Sequence, residues 1–345
     1  MNFASDTAAP VHPSVLEAML RANSGAAASY GEDKVTARVR AKLAQVFETE
    51  DFDFWITASG TAANALALAC FCPPIASILC HETAHIQEDE RGAPEFFTGG
   101  GKLHLLPGEG GKIDARRLKD LLDDMDPRVV HRTPPAVLSL TNLTECGTAY
   151  TPDEVAALSR VRKAAGLTLH MDGARFGNAL VHTGARAAEM SWKAGVDVLS
   201  FGLTKAGAIG CDMVILFGTA KEKGRELRAR AKRAGHMPPK MRYLAAQADA
   251  MLEEGLWLDL SGHANAMAAK LAGVFRDEAV ELAWETQGNE VFARLEAADV
   301  LKLQEEGTVF YAEWPGGLSR FVCSWATTET EVEAVRTALK RPMWK

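Results

Sequence analysis

Short apolar runs alternate with amphipathic segments along most of the chain. Runs bounded by polar or glycine-rich turns predict buried strands at residues 53–57, 77–80, 136–140 and 167–171. Helical spacing of apolar residues predicts helices beside them, at 33–47, 62–72, 114–124 and 152–165. Strands that alternate with helices of this length are typical of a mostly parallel sheet that helices cover on both faces.

The pattern changes after residue 217. Longer helices are predicted at 220–234, 239–253 and 262–275, and from about residue 280 short strands alternate with helices. We therefore expect an α/β protein with two domains. The large domain covers residues 1–249, including an extended N-terminal arm, and a small α+β domain covers 250–345.

One lysine lies between two further apolar runs, 196–201 and 213–217, which also predict buried strands. Lys205 is in a loop of glycine, alanine and threonine that contains no other charge before Asp212. Desolvation disfavours the charged amine and makes it a nucleophile, which favours Schiff-base formation with the carbonyl of a substrate or of pyridoxal phosphate. The alternative is a surface lysine at the tip of a hairpin.

Composition and charge exclude several other classes of protein. The 345 residues are 47% apolar and 24% charged, which is ordinary for a globular chain of this length. A net charge of −7 argues against nucleic-acid binding. No apolar stretch reaches the length of a membrane span, no signal peptide is recognisable, and most of the six cysteines lie within apolar runs. We expect a soluble, cytoplasmic protein.

Other polar residues follow predicted strands, at the edge where open α/β sheets bind ligands. Ser59, Gly60 and Thr61 follow strand 53–57 and open a helix. Such a segment either binds a phosphate or caps the helix.

His85 follows strand 77–80, and Asp172 and Arg175 follow strand 167–171. The last two either form an ion pair with each other or bind a ligand. Together with Lys205, these positions would supply a phosphate site, a ring-stacking imidazole, a partner for a pyridinium nitrogen and a Schiff base.

The chain carries a set of short motifs: Ser5-Asp6-Thr7, Tyr30-Gly31 and residues 59–64, 81–85, 170–176 and 201–205. These segments resemble the threonine aldolase/β-eliminating lyase family, and most closely its low-specificity threonine aldolase and phenylserine aldolase branch. The resemblance implies the pyridoxal 5'-phosphate-dependent aspartate-aminotransferase-type fold and the cleavage of β-hydroxy-α-amino acids, such as threonine, allo-threonine or phenylserine, to glycine and an aldehyde. It also implies a homo-oligomer, usually a dimer of dimers.

The resemblance implies that Lys205 holds the cofactor and that Asp172 keeps its ring nitrogen protonated. Ser59, Gly60 and Thr61 would bind the cofactor's phosphate. On the same grounds, pyridoxal 5'-phosphate is the expected cofactor and no metal is expected.

It also implies residues for the substrate. His85 would stack on the cofactor ring and contact the substrate hydroxyl, and His131, eight residues before Ser139, would help to deprotonate that hydroxyl. Ser5, Arg175 and Arg320 would bind the substrate carboxylate, with Arg175 also close to the cofactor.

Three alternatives stay open at this point. The same fold also supports β-elimination or transamination, and a binding protein without catalysis is a second possibility. The third is a zinc hydrolase, because His81-Glu82-Thr83-Ala84-His85 matches the H-E-x-x-H pattern. Against it, the motif begins at a strand end and no third ligand follows at a recognised spacing.

Overall fold

The helices and strands were assigned in a computed structural model, which describes residues 1–126 and 129–340. The α-helices are α1 (Pro13–Ala22), α2 (Lys34–Val46), α3 (Gly60–Phe71), α4 (His85–Glu88), α5 (Ala93–Thr98), α6 (Ala115–Asp123), α7 (Pro152–Ala164), α8 (Phe176–Thr183), α9 (Ala187–Met190), α10 (Gly224–Arg233), α11 (Arg242–Leu252), α12 (Leu256–Asp277), α13 (Ala297–Glu305) and α14 (Glu329–Leu339). The strands are β1 (Phe52–Thr57), β2 (Ser77–His81), β3 (Lys102–Leu106), β4 (Pro135–Thr141), β5 (Thr168–Gly173), β6 (Val198–Gly202), β7 (Asp212–Phe217), β8 (Glu281–Leu282), β9 (Glu290–Arg294), β10 (Tyr311–Trp314) and β11 (Leu318–Val322).

A seven-stranded sheet forms the centre of the larger part of the molecule, in the order β1-β7-β6-β5-β4-β2-β3. β7 runs antiparallel to both of its neighbours, and the pairs from β6 to β3 are all parallel. Every residue of β6 and β7 is buried, as expected for central strands that carry helices on both faces. The predicted mostly parallel sheet is therefore confirmed. The segments that follow β1, β2, β4, β5 and β6 all lie at the same edge of this sheet.

A second, antiparallel sheet has the order β10-β11-β9-β8 and lies in the C-terminal part of the chain. The N-terminal arm joins it, because Phe3 N–H donates to Val309 at 2.7 Å and the Phe3 carbonyl accepts from Val322 at 2.8 Å. Helix α12 contributes Trp257 to the core of the large sheet and Phe275 to the core of the small one. The domain boundary predicted at residue 250 stays a prediction, since α12 serves both cores.

Most predicted elements are present, with differences at helix ends. Helix α12 starts at Leu256, directly after Gly255 in the left-handed conformation, and not at residue 262. Helix α8 was not predicted from the sequence. Within residues 1–126 and 129–340, no helix combines the length and the apolar character needed to cross a bilayer.

Candidate active site

A cavity of about 230 Å³ lies at the carboxyl edge of the large sheet. The segments that follow β1, β2, β4, β5 and β6 all reach it. A larger open groove of about 820 Å³, between α1, α2 and α11, contains none of the predicted site residues. The structure thus brings most of the predicted residues into one cavity: Ser59, Gly60, Thr61, His85, Asp172, Arg175 and Lys205.

The first turn of α3 forms one wall. Ser59 is the N-cap residue, and its hydroxyl accepts a hydrogen bond from Ala62 N–H at 3.3 Å, so the capping alternative is realised. The segment is nevertheless open toward the cavity. A Cβ atom added to Gly60 would meet no atom of the described residues within 4 Å. The free N–H groups of a 12-residue helix and this open space suit a bound phosphate.

Asp172 is buried at the end of β5 and belongs to a chain of hydrogen bonds. Its Oδ1 accepts from Ala174 N–H at 2.9 Å, and its Oδ2 accepts from Asn64 Nδ2 at 2.7 Å. The same amide nitrogen of Asn64 donates to Glu90 Oε1 at 2.8 Å. Asn64 therefore links two carboxylates and fixes the position of both.

His85 stands at the other end of this chain of hydrogen bonds. Its Nδ1 lies 2.9 Å from Glu90 Oε1, and because a carboxylate only accepts, this contact places a proton on Nδ1. Burial disfavours the charged imidazole, but the hydrogen bond to Glu90 and the charge of Asp172 outweigh it and raise the pKa of His85. Burial, reinforced by the charge of Asp172, raises the pKa of Glu90 as well, despite its contact with His85.

A second carboxyl group lies close to His85. Glu145, in the loop after β4, lines the cavity, and its Oε1 accepts a hydrogen bond from the backbone N–H of His85 at 2.7 Å. Its Oε2 is buried, and no hydrogen bond of good geometry reaches it from the described residues. Burial raises the pKa of Glu145 to about 7, with the charge of Asp172 acting in the same direction.

Lys205 lies in a loop between β6 and β7 that is held at both ends. Asp212 accepts hydrogen bonds from Leu203 N–H at 3.0 Å and from the Thr204 hydroxyl at 2.8 Å. Burial raises the pKa of Asp212, whereas these hydrogen bonds and the charge of Lys205 oppose that shift. The lysine is half-buried within the cavity, so the alternative of a surface lysine at a hairpin tip is not realised.

Arg175 does not pair with Asp172. Its Nε donates to Asp6 Oδ2 at 2.7 Å, and its Nη1 lies 3.3 Å from Glu290 Oε2. Burial would raise the pKa of Asp6, but the charges of Arg175 and Lys205 lower it below its ordinary value. The guanidinium is therefore held by one carboxylate from the N-terminal arm and one from β9.

Arg320, on β11, approaches the same cluster. Its guanidinium lies 4.5 Å from the ring centre of Tyr311 and 4.4 Å from that of Trp314, and its Nη2 donates to the Ala4 carbonyl at 3.4 Å. Burial raises the pKa of Glu290, and the positive charges of Arg175 and Arg320 partly offset this. The charges of two arginines thus act on one buried glutamate, Arg175 from the segment after β5 and Arg320 from β11.

Three predicted substrate residues do not line the cavity: Arg320, whose contacts are given above, Ser5 and His131. Ser5 accepts a hydrogen bond from Thr7 N–H at 3.2 Å, and it is Thr7 that reaches the cavity. His131 is exposed and precedes Pro135, the first residue of β4, whereas the cavity lies beyond the last residue of that strand. Because β4 runs parallel to both neighbours, His131 is at the opposite edge of the sheet. The placement gives no support to the role that the resemblance implied for it.

The H-E-x-x-H segment is divided between a strand and a separate short helix. His81 ends β2, and its two ring nitrogens lie 2.8 Å from Thr83 Oγ1 and 3.0 Å from the Gly108 carbonyl. Glu82 is exposed, and His85 opens α4. The two imidazoles therefore do not share one helical face, which the zinc-hydrolase pattern requires.

Five polar residues that surround the cavity or hold Arg175 were not predicted as site residues. Asn64 and Glu90 are recognisable only by spacing, one turn into α3 and five residues after His85. Glu145 follows a strand end, so the strand-edge rule that found Asp172 would have found it too. The other two, Asp6 and Glu290, reach Arg175 from the chain's N-terminus and from the small sheet, which no local pattern indicates.

Several known proteins are similar to this chain over nearly its whole length. A family profile described as beta-eliminating lyase matches residues 2–298. The low specificity L-threonine aldolase of Pseudomonas aeruginosa is 42% identical over 97% of this chain and 94% of its own. The threonine aldolase structure from Leishmania major has 28% sequence identity and a TM-score of 0.91 over 98% of both chains. The aspartate aminotransferase of Thermus thermophilus, at 16% identity, has a TM-score of 0.70 over 96% of this chain and 87% of that one. The aspartate-aminotransferase-type fold predicted from the sequence is confirmed.

Proposed function

Since this chain belongs to the beta-eliminating lyase family, we propose that it cleaves β-hydroxy-α-amino acids of the threonine type to glycine and an aldehyde, with pyridoxal 5'-phosphate as cofactor. The observation that carries this proposal is the meeting of Lys205, Asp172 and the N-terminus of α3 in one cavity. The printed names of the relatives from Pseudomonas aeruginosa and Leishmania major, both threonine aldolases, support the substrate class.

The residues around the cavity fit the cofactor. Gly60 leaves open space where any other residue would place a Cβ atom, beside the helix N–H groups that suit a phosphate. Lys205 is the only lysine among the described residues that line the cavity, so it is the amine that would hold the aldehyde carbon. When bound, pyridoxal 5'-phosphate accepts the electron pair left on Cα as the Cα–Cβ bond breaks.

The chain's own groups would then orient the reactants. Asp172, fixed by Ala174 and Asn64, would hold a proton on the ring nitrogen through its negative charge. His85, fixed by Glu90, would pack against the ring and present its Nε2 to the substrate. Neither side chain is free to turn away, because each is hydrogen-bonded to a buried partner.

The substrate carboxylate would bind at the arginine end of the cavity. Arg175 lies in the cavity wall and is held by Asp6, whereas Arg320 is held between two aromatic rings. A planar guanidinium takes a carboxylate through two parallel hydrogen bonds. Ser5, which the resemblance implied as a carboxylate ligand, would act indirectly, by positioning the hydroxyl of Thr7.

Replacing Arg320 with alanine is expected to raise KM and lower kcat together on threonine and phenylserine. A hydrogen bond to a charged group contributes about 1.5–3 kcal/mol, so kcat/KM should fall roughly ten- to a hundredfold. Steady-state kinetics measures this. Arg294→Ala, on the exposed side of β9, is the matched control and should leave the kinetics unchanged. Wild-type kcat/KM in Arg320→Ala would mean that Arg175 binds the carboxylate without it.

The purified protein tests the reaction class directly. Incubation with threonine should release glycine and acetaldehyde in equal amounts, and serine should yield no pyruvate. Release of pyruvate and ammonia from serine, without aldehyde from threonine, would assign the chain to β-elimination instead. A chelator should leave aldehyde formation largely intact, since both ring nitrogens of His81 already contact protein groups.

We propose in addition that the chain works as a homotetramer in the cytoplasm. Leu16 and Leu20 of α1 are 48% and 74% exposed beside the large groove, as expected of a surface that a second copy covers. All six cysteines are buried free thiols, which fits a reducing compartment. Light scattering on the cofactor-loaded protein measures the assembly.

A further inference from the structure

We propose that Glu145 is a further catalytic residue, the base that removes the proton from the β-hydroxyl group of the substrate. The inference rests on the proposed function, because an aldol cleavage needs such a base at the β-oxygen. Neither the family resemblance nor the strand-edge residues predicted from the sequence assigned a role to this glutamate.

The geometry gives Glu145 one anchored oxygen and one oxygen that no well-oriented donor among the described residues reaches. Oε1 accepts the backbone N–H of His85 at 2.7 Å, which anchors the carboxyl group beside the imidazole. Oε2 is buried, and among residues 1–126 and 129–340 no well-oriented donor reaches it. A buried carboxylate oxygen without a donor is costly unless a ligand supplies one. The hydroxyl of a substrate in this cavity is such a donor.

The other carboxyl groups of the cavity have more of their oxygens held by protein donors. Asp172 accepts a hydrogen bond on each oxygen. Glu90 also has a buried Oε2 that no well-oriented donor among the described residues reaches, but its Oε1 is held by both His85 Nδ1 and Asn64 Nδ2. The Nδ1 atom of His85 is engaged by Glu90 at 2.9 Å, and its ring is the group that would pack against the cofactor. His131, the residue that the resemblance suggested for this role, lies at the other edge of the sheet. Glu145 is left as the acceptor beside His85.

Its surroundings suit a base that works near neutral pH. Burial raises the pKa of Glu145 to about 7, and hydrogen bonding from His85 and Thr141 limits the rise. The titratable and charged groups that interact electrostatically with Glu145 are His85, Asp172, Arg175, Cys80, Cys146 and Tyr150. A base is most effective when its pKa lies close to the working pH.

The step balances without a further reactant. The hydroxyl proton moves to Glu145 Oε2, and the O–H electron pair becomes the second carbon–oxygen bond of the aldehyde. The electron pair of the broken Cα–Cβ bond stays with the glycine fragment, whose Cα takes up one proton from solvent. Glu145 then releases its proton to solvent, so the proton that the glycine fragment takes from solvent is balanced by the one that Glu145 returns.

Glu145→Gln tests the role, because glutamine keeps an acceptor for His85 N–H but cannot take a proton. In the cofactor-loaded protein, kcat/KM for threonine should fall by about a hundredfold or more. Exchange of the α-proton of glycine in D₂O, which needs no β-oxygen base, should stay within about threefold of wild type.

In the wild type, kcat/KM should rise with pH through about 7, because only the ionised carboxyl accepts a proton. This rise of kcat/KM near pH 7 should be absent from the residual activity of Glu145→Gln. Glu82→Gln, an exposed glutamate of the same region, is the matched control.

A measurement on the cofactor-free protein gives a readout apart from activity. With ¹³C-labelled glutamate side chains, one carboxyl resonance should titrate near pH 7 and be missing from Glu145→Gln. Wild-type cleavage of threonine with undiminished kcat/KM in Glu145→Gln would overturn the role of Glu145 alone. Equal losses of cleavage and of glycine exchange would also overturn it, as they indicate a structural role. A wild type that releases no aldehyde at all would instead refute the proposed function, and the inference with it.

Discussion

Lys205→Ala is expected to have no measurable aldehyde-forming activity and to form no covalent link with pyridoxal 5'-phosphate. No other lysine lines the cavity among the described residues, so no second amine can take its place. After borohydride treatment of the cofactor-loaded wild type, peptide mass spectrometry should find the pyridoxyl group on Lys205. The variant should carry none.

Lys102→Ala is the matched control, because Lys102 is exposed on β3 at the far side of the sheet. It should retain both the covalent link and full activity. A pyridoxyl group mapped to any other lysine of the wild type would refute the assignment of Lys205. Retention of the fold in Lys205→Ala is checked by circular dichroism, since a half-buried lysine makes few packing contacts that alanine cannot replace.

Asp172→Asn should bind the cofactor and lose most of its activity. The carboxylate accepts from both Ala174 N–H and Asn64 Nδ2, whereas an amide has one acceptor oxygen and no charge. Loss of a charged hydrogen bond costs about 1.5–3 kcal/mol, so kcat/KM should fall roughly ten- to a hundredfold.

Visible absorbance of the bound cofactor, together with steady-state kinetics, separates binding from turnover in this variant. Asp153→Asn, an exposed aspartate in the first turn of α7, is the control. Activity close to wild type in Asp172→Asn would show that the ring nitrogen is protonated by some other group, or that its proton is not needed.

The sequence predicted the part of the site that depends on strand ends. Ser59, His85, Asp172 and Lys205 each lie at or after the end of a strand of the same sheet, so one rule about parallel sheets predicts that they meet. That rule does not say which side chain pairs with which. An ion pair between Arg175 and Asp172 therefore stayed open as one alternative, whereas Asp6 and Glu290 hold Arg175 in the structure.

His131 shows the opposite limit. A resemblance assigns a role by position in the chain, but the role depends on which edge of the sheet the residue occupies. His131 precedes β4, and a seven-residue strand separates its edge from the cavity. Glu145 follows the carboxyl end of the same strand and contacts His85 there. Neither composition nor periodicity indicates this contact.

The order in which the chain is synthesised sets the order in which the site can be completed. The hydrogen bond between Arg320 and the carbonyl of Ala4 joins residues 316 positions apart, and that between Asn289 and Asp6 joins residues 283 positions apart. The N-terminal arm therefore cannot form these two hydrogen bonds until nearly the whole chain has left the ribosome. Contacts this distant in sequence form late and slow folding, so the arginine end of the cavity should be the last part to acquire its native structure.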